Sequence, residues 1–164
     1  MRAKTLKVLL VSSILTFGFN SSVFSSEIHL PTIAQIESSN NPNAISFRGA
    51  KFGRGLYMVS EILLSEYNTL TKHNYTTEDL FDKKINEQIA RWYFFVRIPQ
   101  MLRAYKLDVN DRNILCCYNW GIGNLKLKGI ASIPNETKNY ILKYETARGV
   151  QVRLASPLPV SVSH

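Results

Sequence analysis

The sequence predicts an all-α domain of about five helices. Three observations carry that expectation. Apolar residues recur at helical spacing in several separate stretches. Residues that start or stop helices frame each stretch. No stretch shows convincing strand alternation, and there is no internal repeat.

The first predicted helix begins near Pro31, whose missing N–H costs nothing at a helix start. Ile33, Ile36 and Glu37 share one of its faces, and Asn40, Asn41 and Pro42 end it. Asn43 to Arg54 reads as a loop, with Gly49, Gly53 and Gly55 allowing tight turns. Ser60 is an N-cap for a second helix, on which Val59, Ile62, Leu63 and Tyr67 form the apolar stripe. Asn68 to Thr77 is polar and reads as a surface connection. Asp82 caps a third helix through Ile85, Ile89, Trp92, Tyr93 and Val96. Pro99 is expected to break or kink that helix, with a short continuation at Met101, Leu102 and Tyr105. Asn110 or Asp111 caps a fourth helix holding Ile114, Leu115 and Tyr118, which Gly121 and Gly123 end. Asn124 to Ser132 reads as a mildly basic loop. Pro134 opens a last helix with Thr137, Tyr140, Ile141 and Tyr144 on one side, and Gly149 stops it.

A chain of 164 residues, 45% hydrophobic and 20% charged, is in the range of a single domain able to bury a core without staples. The organisation expected is a leader over 1–25, a catalytic domain over 26–148 and a flexible tail over 149–164. Arg2, Lys4 and Lys7 precede an apolar run from Val8 to Phe19, and Val23-Phe24-Ser25 offers small groups for cleavage. That is the pattern of a secretory signal peptide, and the run is short for a spanning helix. Without a cysteine near the cut, no lipid anchor is expected. An exported protein with no stable membrane anchor follows, in the periplasm or cell wall. Gly149 to His164, with Pro157 and Pro159 among Ser and Val, lacks helical periodicity.

The formal charge is +8. The leader holds three basic residues and no acid, which leaves +5. That excess suits an anionic polymer, and solubility alone would also account for it. No basic cluster interleaved with aromatics points to nucleic acid. No zinc spacing is present, and neither a metal nor another cofactor is expected. Cys116 and Cys117 are adjacent, too close for an unstrained bridge between them, and are expected to act as small buried apolar groups.

The chemistry concentrates between Ile33 and Met58. Glu37 stands near the end of an apolar helix, just before a Ser/Asn/Pro/Gly loop. Such a carboxyl sits at the lip of an apolar wall, for which Ile33, Ile36 and Leu56 are the candidates. Exclusion of water raises a glutamate from its ordinary value of about 4.3 toward the range useful to a general acid. The plainer alternative is a surface glutamate that caps or pairs.

Three islands occur in order: Ile36-Glu37-Ser38 with Asn41-Pro42, Ser46 and Gly49-Ala50; Tyr118-Asn119-Trp120-Gly121-Ile122-Gly123; and Pro134-Asn135-Glu136-Thr137 followed by Tyr140. Asp79-Leu80-Phe81-Asp82 with Ile85-Asn86 adds a linker into the middle helix. Together they resemble the soluble lytic transglycosylase (SLT) domains, relatives of goose-type lysozyme that cut peptidoglycan glycan strands. The resemblance spans roughly Ile33 to Tyr144 and implies a compact, lysozyme-like helical domain. It implies cleavage of the MurNAc–GlcNAc β-1,4 bond with Glu37 as acid and then base, closing a 1,6-anhydro ring. That accounts for the absence of any second acid between Glu37 and Glu61, where most glycosidases use two. It also implies substrate contacts at Ser46, Met58, Tyr118, Asn119 and Glu136. The implied partners are peptidoglycan strands, and a cell-envelope assembly apparatus that needs a gap in the wall.

The chain departs from the family pattern at several points. Four residues, Lys51 to Arg54, separate Gly-Ala from Gly-Leu, where the family usually has one. Met58 stands where the family has a glutamine that helps to bind glycan. Cys116-Cys117 and Trp120 replace small residues, and Trp120 either stacks on sugar or packs. The rival readings are a lysozyme-type hydrolase and a catalytically silent glycan-binding module, the latter suggested by Met58.

Overall fold

The helix signals are realised as a bundle around one long central rod. The computed structural model describes residues 28–48 and 51–149; the leader and nearly all of the proline-containing tail lie outside them. The helices are α1 (Leu30–Ser38), α2 (Glu61–Thr71), α3 (Lys83–Trp92), α4 (Ile98–Ala104), α5 (Asp111–Trp120), α6 (Ile122–Lys128) and α7 (Asn135–Ala147). A three-stranded antiparallel sheet in the order β1-β2-β3 (Ile45–Arg48, Lys51–Arg54, Val59–Ser60) stands between α1 and α2.

The expected helix starts hold. Ser60 accepts from the Leu63 amide at 3.2 Å, Asp82 from those of Lys84 and Ile85 at 2.8 and 3.0 Å, and Asn110 from that of Asn113 at 2.8 Å. Each satisfies amides that the first helical turn leaves without an intrahelical partner.

The central rod runs through α3, a π-helical turn at Tyr93–Arg97, and α4. Pro99 therefore does not break the helix. It falls in the first turn of α4, and the wider turn before it takes up the hydrogen-bonding mismatch that proline creates. Ile89, Phe94, Ile98 and Leu102 along the rod are fully buried. Around it close Ile33 of α1, Leu80, Ile114 and Leu115 of α5, and Ile141 of α7.

Three further expectations need correction. Asn43 to Arg54 is not simply loop: β1 pairs with β2 from Ile45↔Arg54 to Arg48↔Lys51. The four residues that stand where the family usually has one are the whole of β2. Strands so short and glycine-bearing give no readable alternation, and only pairing defines them. Asn124 to Ser132 is largely α6 followed by a short 3-10 turn at Ile130–Ser132, pinned by buried Leu125. On α2 the inward residues are Leu63, Leu64 and Tyr67, while Ile62 is 73% exposed.

Candidate active site

α1 ends because Ser39 and Asn40 take left-handed conformations, with φ of 54° and 62°. Ser38, the last helical residue, donates its hydroxyl to the Ala34 carbonyl at 3.1 Å and to the Leu56 carbonyl at 2.8 Å. The second bond fastens the helix end to the turn after β2. Glu37 is thus held at the helix tip, half-buried. Of the expected wall residues, Ile33 and Leu56 are buried and Ile36 is partly buried against the core.

α5 and α7 bring two tyrosines to this place. The Tyr118 hydroxyl donates to the Tyr57 carbonyl. Its ring stacks on Phe94 at 4.3 Å between centroids and lies 6.0 Å from Tyr93. Burial, then the negative charge of Glu37, then neighbouring tyrosines hold its proton well above the ordinary tyrosine range. Tyr140, buried on α7, is raised likewise by burial, by the Glu37 charge, by Tyr118 and by a side-chain hydrogen bond with Glu37. By strict distance and angle the Tyr140 hydroxyl has no partner. Glu37 acts on both phenols chiefly through its negative charge. Tyr118 and Tyr140 therefore stay neutral at physiological pH.

The remaining predicted residues fall in two groups. Ser46 on β1 pairs with Gly53 on β2, and a β-carbon at Gly53 would press on the Met58 backbone at 2.9 Å. Met58 follows Tyr57, whose carbonyl receives Tyr118, in a tight turn at φ 50°. Ser46 and Met58 therefore belong to the hairpin side of the site. Asn119 is committed to the fold: its Oδ1 accepts from the buried Thr137 hydroxyl at 2.7 Å, tying α5 to α7. Glu136 is exposed in the first turn of α7, one turn before Tyr140.

Two residues matter here that were not among the predicted site residues. Tyr140 read as one apolar-face residue of the last helix; its place after Pro134-Asn135-Glu136-Thr137 in the third island was the signal that could have found it. Asn86 is fully buried and sits under the hairpin. Its amide donates to the carbonyls of Arg54 (2.9 Å) and Leu80 (2.8 Å), and its oxygen accepts from the Tyr57 amide at 2.8 Å. Asn86 thereby fixes the segment that carries Tyr57 and Met58.

Cys116 and Cys117 are free and buried, as expected, with thiols that burial pushes up to about 11 and about 12. Trp120 is half-buried, with the Lys128 ammonium 5.5 Å from its ring centre. Among the described residues no group of three or more His, Cys, Asp or Glu could hold a metal ion. Two grooves of about 540 and about 550 Å³ lie along α2 and α3, and neither includes Glu37 or Tyr118 in its lining.

Residues 24–141, well over half of the chain, match the family model described as the Transglycosylase SLT domain. No curated protein and no solved structure matches it.

Proposed function

The chain belongs to the transglycosylase SLT domain family, and from that premise we propose that it is an exported enzyme cleaving the MurNAc–GlcNAc β-1,4 bond of peptidoglycan. The observation that carries the reading is the meeting of Glu37 with Tyr118 and Tyr140 at the hairpin. Glu37 gives its proton to the glycosidic oxygen as the bond to C1 breaks. The resulting carboxylate takes the proton of the C6 hydroxyl on the same MurNAc, whose oxygen closes on C1. Glu37 is protonated again, no water is consumed, and the new end is a 1,6-anhydro sugar. Intramolecular attack replaces a bimolecular step, so holding the sugar correctly supplies much of the rate. One carboxyl suffices because the nucleophile belongs to the substrate.

Tyr118, anchored through its hydroxyl, shapes the wall opposite Glu37. Ser46 and Met58 line the hairpin side, where Met58 offers a thioether in place of an amide. Asn119 and Glu136 take part at the far end, Asn119 chiefly by holding α5 to α7.

Cell-wall zymography of wild type beside Glu37→Gln tests the proposal. Clearing by wild type alone is expected. Equal clearing by both removes Glu37 as the acid, and clearing by neither favours a silent glycan-binding module. The mass of the released muropeptides separates transglycosylase from hydrolase, since the anhydro product is lighter by one water.

A further inference from the structure

The end of the molecule formed by α4 and α6 carries an exposed apolar and basic patch that the glycan chemistry does not use. Leu127 is 81% exposed, the highest value among the large exposed apolar residues. It lies between Lys126 and Lys128, both exposed. Exposed Tyr105 at the end of α4 and Ile130 just after α6 extend the patch.

Two cation–ring contacts fix this geometry. Lys126 Nζ stands 4.2 Å from the centre of the Tyr105 ring, and Lys128 Nζ stands 5.5 Å from that of Trp120. Arg103 and Lys106 flank Tyr105 and are exposed. The sequence has no Asp or Glu from Arg97 to Leu107, nor from Arg112 to Pro134; exposed Asp108, next along the chain, is the nearest acid to Tyr105. Buried Leu125 anchors α6, so the outward placement of Leu127 is not the result of a loose segment.

An exposed leucine ringed by cations and aromatic side chains fits a surface with acid headgroups above a hydrocarbon layer. A soluble polyanion would use the lysines and leave the leucine without a purpose. We propose that this patch binds the surface of an anionic lipid bilayer peripherally. Leu127 dips into the headgroup region, while Lys126, Lys128, Arg103 and Lys106 meet phosphate groups. Among the described residues no helix is long and apolar enough to cross a membrane, so the contact is superficial and reversible. The lipid contact itself does not depend on the catalytic reading.

Co-sedimentation of the purified exported protein with vesicles tests this. One set is phosphatidylcholine mixed with phosphatidylglycerol, the other phosphatidylcholine alone. Wild type is expected to bind the anionic set, to bind the neutral set far more weakly, and to be released by salt. The Lys126→Gln, Lys128→Gln double variant should bind roughly 30-fold more weakly, and Leu127→Ser about tenfold more weakly. Every variant has the same N-terminus, so a difference between them reads the patch. Thermal melts equal to wild type establish that each is folded. Glu37→Gln should bind vesicles as wild type does. Equal binding by wild type and the double variant, or equal binding to both vesicle sets, overturns the proposal. An unaltered Leu127→Ser together with competition by soluble polyphosphate also overturns it, in favour of a polyanion site.

Discussion

At the scale of single residues, the contact to explain is that between Glu37 and Tyr140. Glu37 is legible in the sequence as a candidate acid, since a glutamate before a serine at a helix end opens the first of three ordered islands; a capping or pairing glutamate was the plainer alternative. Tyr140 belongs to the third island, but a tyrosine on an apolar helical face reads first as core, which it also is, so it was not among the predicted site residues. A phenol that donates to a carboxylate favours its charged form. Tyr140→Phe keeps the ring and removes the hydroxyl dipole near the carboxylate, so the proton on Glu37 should be held to higher pH. The alkaline limb of the wall-lysis profile should move upward, and an unmoved limb would show that the hydroxyl has no electrostatic part. The buried thiols give a second test. With values near 11 and 12, Cys116 and Cys117 carry almost no thiolate at neutral pH. A thiol reagent should leave both unmodified in the native protein and modify both in denaturant.

At the scale of elements, the hairpin is where sequence reading fell short. Its strands are two to four residues long, and what holds them is a side chain from another element. Asn86→Ala leaves the Tyr57 amide and the carbonyls of Arg54 and Leu80 without the partner each now has. At roughly 1 kcal/mol or more for each buried group left unpaired, a loss of about 3 kcal/mol is expected in urea unfolding. Gly55 belongs to the same device: it turns at φ 76°, and a β-carbon there would collide with the Leu80 carbonyl and the Asn86 amide. Gly55→Ala should therefore destabilise through both strain and displacement of Asn86. Met58 sits on this element without holding it, so Met58→Gln should keep the fold and preserve or raise retention on peptidoglycan. A clear loss of retention would place the binding amide elsewhere on the loop. The helices were easier to read because their caps, Ser60, Asp82 and Asn110, act within four residues of themselves. The π turn at Tyr93–Arg97 was not readable, since it answers both Pro99 and the packing of Phe94.

At the scale of the whole molecule, several phenols lie in the core or pack against it. Tyr57 and Tyr93 are pushed up to about 12, mainly by burial, and Tyr118 and Tyr140 are raised well beyond the ordinary range. The sign follows from linkage. Below about pH 10, the ordinary tyrosine value, both folded and unfolded chains keep these protons and stability is complete. Above it the unfolded chain releases protons that the folded chain retains, so stability falls steadily toward pH 12. Urea midpoints should decline across that window, and the tyrosine absorbance change should lag behind that of a denatured sample. By itself the sequence determined the helical class, most helix starts and the family, because these depend on short-range periodicity, local capping and a few ordered motifs. The tertiary structure alone decided which groups stand beside Glu37 and which hold the hairpin next to it. Tyr57, Asn86, Tyr118 and Tyr140 come from separate elements, and Tyr57 and Tyr118 meet across 61 positions of chain. Only packing around the central rod can bring such distant groups together, and packing leaves no local periodic trace in the sequence.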